Sequence, residues 1–130
     1  MNAVFHDHQD IANPLNGRAV TSSEAIRLLR SLRTRDPFFC SLDADAGTLL
    51  VGVGQDVGCI QFTPTVGGLP YLMAMSDPNE SRDGYVEFLS GGTPSPVPRR
   101  YALPWLLLEQ IVTAFLDEGA IPNDVVWEEI

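Results

Sequence analysis

Two histidines and two carboxylates lie close together near the N-terminus, in the order His6, Asp7, His8, Gln9 and Asp10. Alternate residues of a strand point to one face, so His6 and His8 could bind a metal ion together with Asp10. A metal site needs three or four converging ligands, and the chain has only these two histidines. We therefore favour a polar turn after a short N-terminal strand. A small metal-dependent enzyme is the alternative, and stoichiometric metal in the purified protein would support it.

The remaining nucleophiles and glycines match no catalytic pattern. Cys40 and Cys59 lie in apolar, strand-like segments without a CxxC pair, so we expect buried and reduced thiols. Gly52, Gly54 and Gly58 lack the lysine and hydroxyl of a phosphate-binding loop and are interpreted as turn glycines. The sequence thus predicts a protein that is not an enzyme and that needs no cofactor or metal.

The charge balance is strongly acidic. Seventeen aspartates and glutamates face eight basic residues, all of them arginine, which gives a formal net charge of −9. Direct binding to nucleic acid or to an anionic membrane requires positive charge, so we expect neither. Long-range attraction instead favours fast association with a basic protein partner.

Length and hydropathy indicate one domain over residues 1–130. The apolar runs are far shorter than the roughly 20 residues that span a bilayer. Charged and polar residues interrupt the N-terminus early, which is not typical of a signal peptide. We therefore expect a cytoplasmic protein.

Two helices are predicted from their end signals and apolar periodicity. Thr21 and Glu24 have the spacing of a capping box, which predicts a helix over about 22–34. Pro104 suits the first turn of a second helix, over about 104–118. Gly119 is placed to end that helix, and Pro122 prevents its continuation.

Short β-rich segments fill the region between the helices, and one more follows the second helix. The predicted strands are 38–42, 48–53, 57–63, 69–75, 85–89 and 125–128, with a further short one at the N-terminus. Strands joined by short turns, with helices placed apart from them, indicate an α+β fold. We expect an antiparallel sheet of about five to seven strands with two main helices on one face.

The order of motifs along the chain resembles a known family. Glycine-flanked segments at 47–54 and 58–62 are followed by the proline-rich stretch 93–98. An amphipathic helix then leads to the last group of residues: Phe115, Gly119, Pro122 and Trp127. This pattern is similar to the first-numbered family of immunity proteins from bacterial polymorphic toxin systems. The polar loop 76–84 is a departure, because it is often shorter in that family.

The resemblance implies a non-catalytic antidote that binds the C-terminal domain of a cognate toxin. Toxins paired with this family are often nucleic-acid deaminases, and a toxin acting on nucleic acid needs a basic substrate groove. The four motif residues, Phe115, Gly119, Pro122 and Trp127, are implied to be structural. An acidic chain fits such a partner, since its charge would steer it towards the basic groove.

The candidate toxin-binding residues are acids in predicted turns: Asp56, Asp77, Glu80 and Asp83. Loops carry binding more often than strands do, which is why we selected them. A general interaction module without a toxin, binding through the region of Tyr101 and Trp105, is a further alternative. A toxin gene immediately upstream would distinguish immunity from that alternative.

Overall fold

The computed structural model describes residues 2–65, 71–77 and 83–130, and its fold is α+β, as predicted. Both helices are present, and each predicted strand has a counterpart, together with additional short strands. Residues 69 and 70 of the predicted strand 69–75 lie outside the described residues. In chain order the elements are β1 (Ala3–Asp7), β2 (Ala19–Val20), α1 (Ser22–Leu32), β3 (Phe38–Ala44), β4 (Gly47–Val53), β5 (Val57–Pro64), β6 (Leu72–Met75), β7 (Tyr85–Ser90), β8 (Thr93–Pro98), a 3-10 turn (Arg99–Tyr101), β9 (Leu103–Pro104), α2 (Trp105–Glu118) and β10 (Val126–Glu129).

The strands form one sheet in the order β10-β6-β5-β4-β3-β1-β2. Neighbouring strands in this order are antiparallel. The hairpin β7–β8 lies off this path and touches β3 through a single parallel pair, Phe38 with Leu89. β9 pairs with the start of β5, which places the beginning of α2 directly beside the sheet.

Alternation along β3 separates two cores. Phe38, Cys40 and Leu42 belong to a large cluster that includes the buried face of α2. Phe39 belongs to a smaller cluster on the other face, together with residues of the β7–β8 hairpin such as Val97. The sheet therefore has a helix-covered face and an opposite face, called here the open face, which the hairpin covers only in part.

Each helix has the end signals that the sequence predicts. The Thr21 side chain accepts a hydrogen bond from the Glu24 N–H, and Glu24 accepts one from the Thr21 N–H, so the capping box is formed. α2 ends at Gly119, whose φ of 72° is left-handed and whose N–H donates to the Phe115 carbonyl. α1 packs against α2, which in turn packs on β5.

Glycines inside two strands allow α2 and the β7–β8 hairpin to pack closely on the two faces of the sheet. A Cβ at Gly52 would lie 2.6 Å from Cys59 Sγ and 2.9 Å from Phe88 Cε1 on the open face. A Cβ at Gly58 would overlap Leu108 of α2 on the helix-covered face. The interpretation of these two residues as turn glycines was therefore wrong, since both lie within strands and are needed for close packing.

The proline-rich stretch 93–98, for which no strand was predicted, forms β8. It pairs with β7 through a tight turn at Gly91 and Gly92, which have φ values of 58° and 83°. The tip of this turn is attached to the end of β1, because the Gly91 N–H donates to the His8 carbonyl. Phe88 then packs on Phe39, with ring centroids 5.2 Å apart.

The described residues contain no helix that is long and apolar enough to span a membrane.

A buried carboxylate organises the segment after β1. Asp7, which is 3% exposed, accepts hydrogen bonds from the Gln9 and Asp10 N–H groups and from Asn13 Nδ2. Arg35 Nη1 lies 2.7 Å from Asp7 Oδ2. Burial by itself raises the pKa of Asp7, but the hydrogen bonds from Arg35, Asn13 and the two N–H groups outweigh it and lower the pKa below 3.8.

We predict that Asp7→Asn lowers the free energy of unfolding at neutral pH by about 2–3 kcal/mol, because N–H donors and Arg35 lose their anionic partner. A carboxylate whose pKa is depressed by folding stabilises the native state above its unfolded pKa and loses that effect as the pH falls. The difference between the two proteins should therefore shrink below pH 3.8. Urea unfolding at several pH values measures this difference in the free energy of unfolding, with the exposed Asp36→Asn as control. A gap that stays constant with pH would contradict this assignment.

Candidate functional site

The histidines considered as metal ligands lie on the open face without converging on Asp10. His6 Nε2 is 3.7 Å from Asp43 Oδ2, and His8 Nε2 is 3.0 Å from Ser41 Oγ. The Asp10 carboxylate instead accepts the Ala12 N–H at 3.0 Å. Across residues 2–65, 71–77 and 83–130, no group of three or more His, Cys, Asp or Glu side chains is arranged to hold a metal ion.

The two thiols are free, buried and on opposite faces of the sheet. Cys40 belongs to the core under the helices, and Cys59 to the smaller core under the hairpin. Burial raises the pKa of the Cys40 thiol and raises that of Cys59 to about 12. Neither is held as the thiolate that nucleophilic catalysis requires.

A row of side chains crosses the open face from β1 to β10. The strand registers place these residues side by side: His6, Ser41, Leu50, Gln61, Met73 and Glu128. The apolar members of the row form the floor of a groove of about 150 Å³ beside the hairpin. Its remaining walls include Pro96, Pro98, Tyr101 and Ile130.

One rim of this groove is polar. The Tyr101 hydroxyl donates a hydrogen bond to Glu128 Oε1, and Arg100 Nη2 lies 3.0 Å from the same oxygen. Burial and the bond to Glu128 raise the pKa of Tyr101. The groove thus has an apolar floor beside a compensated ion pair, in which Arg100 meets Glu128 of β10.

Two of the four predicted acidic residues, Asp56 and Asp77, lie at the same end of the sheet. Asp56 is exposed in the turn between β4 and β5, and Asp77 is exposed just after β6, which is antiparallel to β5. Asp83 is exposed immediately before the hairpin, and Glu80 lies outside the described residues. Arg33 stabilises the Asp56 turn, since its Nη2 donates to the Gln55 carbonyl at 2.6 Å.

The family-motif residues hold the end of α2 and the last strand in place. Phe115 is fully buried and packs edge-on against Phe62, with ring centroids 5.9 Å apart. After Gly119 ends the helix, the Pro122 carbonyl accepts a hydrogen bond from Trp127 Nε1 at 3.1 Å. This bond fixes the half-buried Trp127 ring and, with it, the position of β10.

The aromatic residues considered for a general interaction module are buried. Tyr101 is 3% exposed and Trp105 is 7% exposed, and Trp105 Nε1 donates to the Gly54 carbonyl. Arg33 also covers the Trp105 ring at 4.2 Å. Neither ring is available as an exposed anchor for a partner.

A second, shallower groove of about 470 Å³ lies along the two helices. Arg30 and Glu109 cross it with two hydrogen bonds, of 2.7 and 2.9 Å, that join α1 to α2. The hydrogen bond from Arg30 lowers the pKa of Glu109. The exposed Leu106 lies on the rim of this groove, where the two charges already compensate each other.

A known protein family matches most of the chain. The model of a family described as Immunity protein Imm1 matches residues 18–129, which include both helices and every strand from β2 to β10. No curated protein matches the chain.

We predict that neither thiol of the folded protein reacts with a disulfide reagent such as Ellman's, although Cys59 lines the groove, because both are buried and protonated. Both should react once the chain is unfolded in guanidinium. Absorbance of the released thiolate measures this. Rapid reaction of Cys59 in the native chain would show instead that the hairpin lifts away from the open face.

Proposed function

The chain belongs to the Imm1 immunity protein family, and from this membership we infer that it protects its bacterium by binding and neutralising the C-terminal domain of a cognate toxin. The observation that carries this proposal is the length of the match, which extends over residues 18–129 and so covers nearly all of the fold. Such a protein acts by occupying a surface of the toxin. It needs no catalytic group, cofactor or metal of its own.

The charge of the chain supports a toxin that acts on nucleic acid, such as a deaminase. An enzyme that binds nucleic acid presents positive charge to the phosphates. A partner with a net charge of −9 is attracted to such a groove over long distances, which raises the rate of association. In this proposal an acidic surface of the immunity protein covers the toxin's substrate site.

The acidic surface we propose is formed by Asp56, Asp77, Glu80 and Asp83. Asp56, Asp77 and Asp83 are exposed, and two of them flank the segment that contains Glu80. The Asp56 turn is held against Trp105 by Arg33, so its position is fixed before any partner arrives. Pre-ordered charge of this kind favours binding because less entropy is lost on association.

Co-expression with the C-terminal domain of the adjacent toxin gene tests the proposal. We expect a complex of defined stoichiometry on co-purification and survival of cells that the toxin alone would kill. If no complex forms and the cells do not survive, the chain has the family fold but not this function.

Charge reversal at Asp77, Glu80 and Asp83 together should weaken toxin binding by about tenfold or more, mainly through slower association, and should reduce its dependence on salt. The matched control reverses three acids elsewhere on the surface: Asp45, Asp117 and Glu118, all exposed. Surface plasmon resonance at two ionic strengths measures the association rate and its salt dependence for each variant. Equal losses in the two triple variants would mean that net charge matters and this loop does not.

A further inference from the structure

Among the described residues, three edges of the β-structure are protected to very different degrees. An edge strand presents unpaired N–H and C=O groups, and proteins usually block it with proline, charge or a short strand. The edges in question are the outer sides of β8, β2 and β10.

β8 is blocked by proline at every outward position. The Arg99 N–H donates to the Gly84 carbonyl, so the odd-numbered residues of β8 direct their backbone groups towards β7. The even-numbered residues face outward, and these are Pro94, Pro96 and Pro98. No donor remains on that edge, and the rings prevent another strand from approaching.

β2 is protected by its length. It contains only Ala19 and Val20, and α1 begins two residues after it. Two residues offer too few backbone groups to hold an added strand, since strands in proteins usually have three residues or more.

β10 lacks all of these protections. The Ile130 N–H donates to the Tyr71 carbonyl, so by alternation Glu128 and Val126 also direct their backbone groups towards β6. The N–H and C=O groups of Trp127 and Glu129 then point away from the sheet. Within the described parts of the chain, no strand pairs with this side.

Side chains along this edge are both apolar and acidic. Val126 is 41% exposed, Ile130 56% and Tyr71 39%, which places three of the large exposed apolar residues at one edge. Glu129 and the nearby Asp124 are exposed as well. The edge therefore offers backbone hydrogen bonds, apolar contact area and negative charge in the same place.

We propose that β10 is a docking edge on which an extended segment of the toxin domain, with alternating basic and apolar residues, adds to the sheet as a further strand. This proposal rests on the proposed function. Backbone hydrogen bonds to Trp127 and Glu129 supply affinity, and the alternating side chains supply specificity. The open-face side chains of the added strand lie beside Val126 and Ile130, and Ile130 itself lines the groove.

Charge selects a basic partner over a second copy of this chain. Pairing two β10 strands would bring the two copies of the exposed Glu129 into one ribbon of eight residues, beside the Glu128 carboxylates that Arg100 already pairs. Like charges facing each other across strands are destabilising. A toxin strand that carries lysine or arginine avoids this repulsion. It is also attracted by the overall charge of −9.

Glu129→Pro tests the proposal by copying the device that protects β8. Because the Glu129 N–H points outward, proline removes a docking donor and blocks the edge while leaving the Ile130–Tyr71 bond to β6 intact. Glu129→Gln is the matched control, since it removes the same charge and keeps the N–H. We expect Glu129→Pro to raise the Kd for the adjacent gene's toxin domain by about tenfold or more relative to Glu129→Gln.

Amide hydrogen exchange of the wild-type complex, followed by NMR, gives a second readout that does not depend on the variant folding. The Trp127 and Glu129 amides should become strongly protected on toxin binding, whereas the Glu128 amide is already protected in the free chain.

The possible outcomes separate this inference from the function on which it rests. If wild-type protein binds the toxin, but Glu129→Pro binds as tightly as Glu129→Gln or the two amides gain no protection, the edge is not the docking site and the immunity function stands. If wild-type protein does not bind, both proposals fail. A dimer of the free chain that Glu129→Pro dissociates would assign the edge to a second copy.

Discussion

The rest of the structure depends on the fact that the central strands are apolar on both faces. Phe38 and Phe39 are consecutive and both buried, so burying one on the helix side leaves the other to be covered from the opposite side. α2 covers one face, and the β7–β8 hairpin covers part of the other. Gly58 and Gly52 allow these two approaches to be close, because a Cβ at either position would overlap the packed side chains. The cover on the open face is narrower than the sheet, which leaves the groove and the β10 edge accessible.

Helices and central strands could be predicted from the sequence because their signals are local. The capping box at Thr21 and Glu24 and the stop at Gly119 are read within a few residues, and both form as expected. β8 could not be predicted, since alternate prolines are typical of an irregular segment. They are compatible with a strand only when the intervening residues make all of its hydrogen bonds, and that depends on β7.

Surface roles were harder to predict than the fold. Residue type alone indicated the exposed acids at Asp56, Asp77 and Asp83, but not whether they meet a partner. The sequence does not show that β10 is an edge strand, because the pattern of 125–128 is the same whether a neighbouring strand lies on one side or on both. Pairing between distant segments determines whether a strand lies at an edge. His6 and His8 illustrate the same limit: alternation correctly places them on one face, but their partners, Asp43 and Ser41, come from β3.

The three prolines of β8 also affect how quickly the protein folds. An unfolded chain populates both isomers at each bond that precedes proline, and uncatalysed interchange takes tens to hundreds of seconds. All three bonds must reach their native isomer before β8 can pair with β7 and the hairpin can cover Phe39 and Cys59. Refolding of the open face can therefore include a slow interval, set by isomerisation at these three bonds. Prolyl isomerases would shorten that interval.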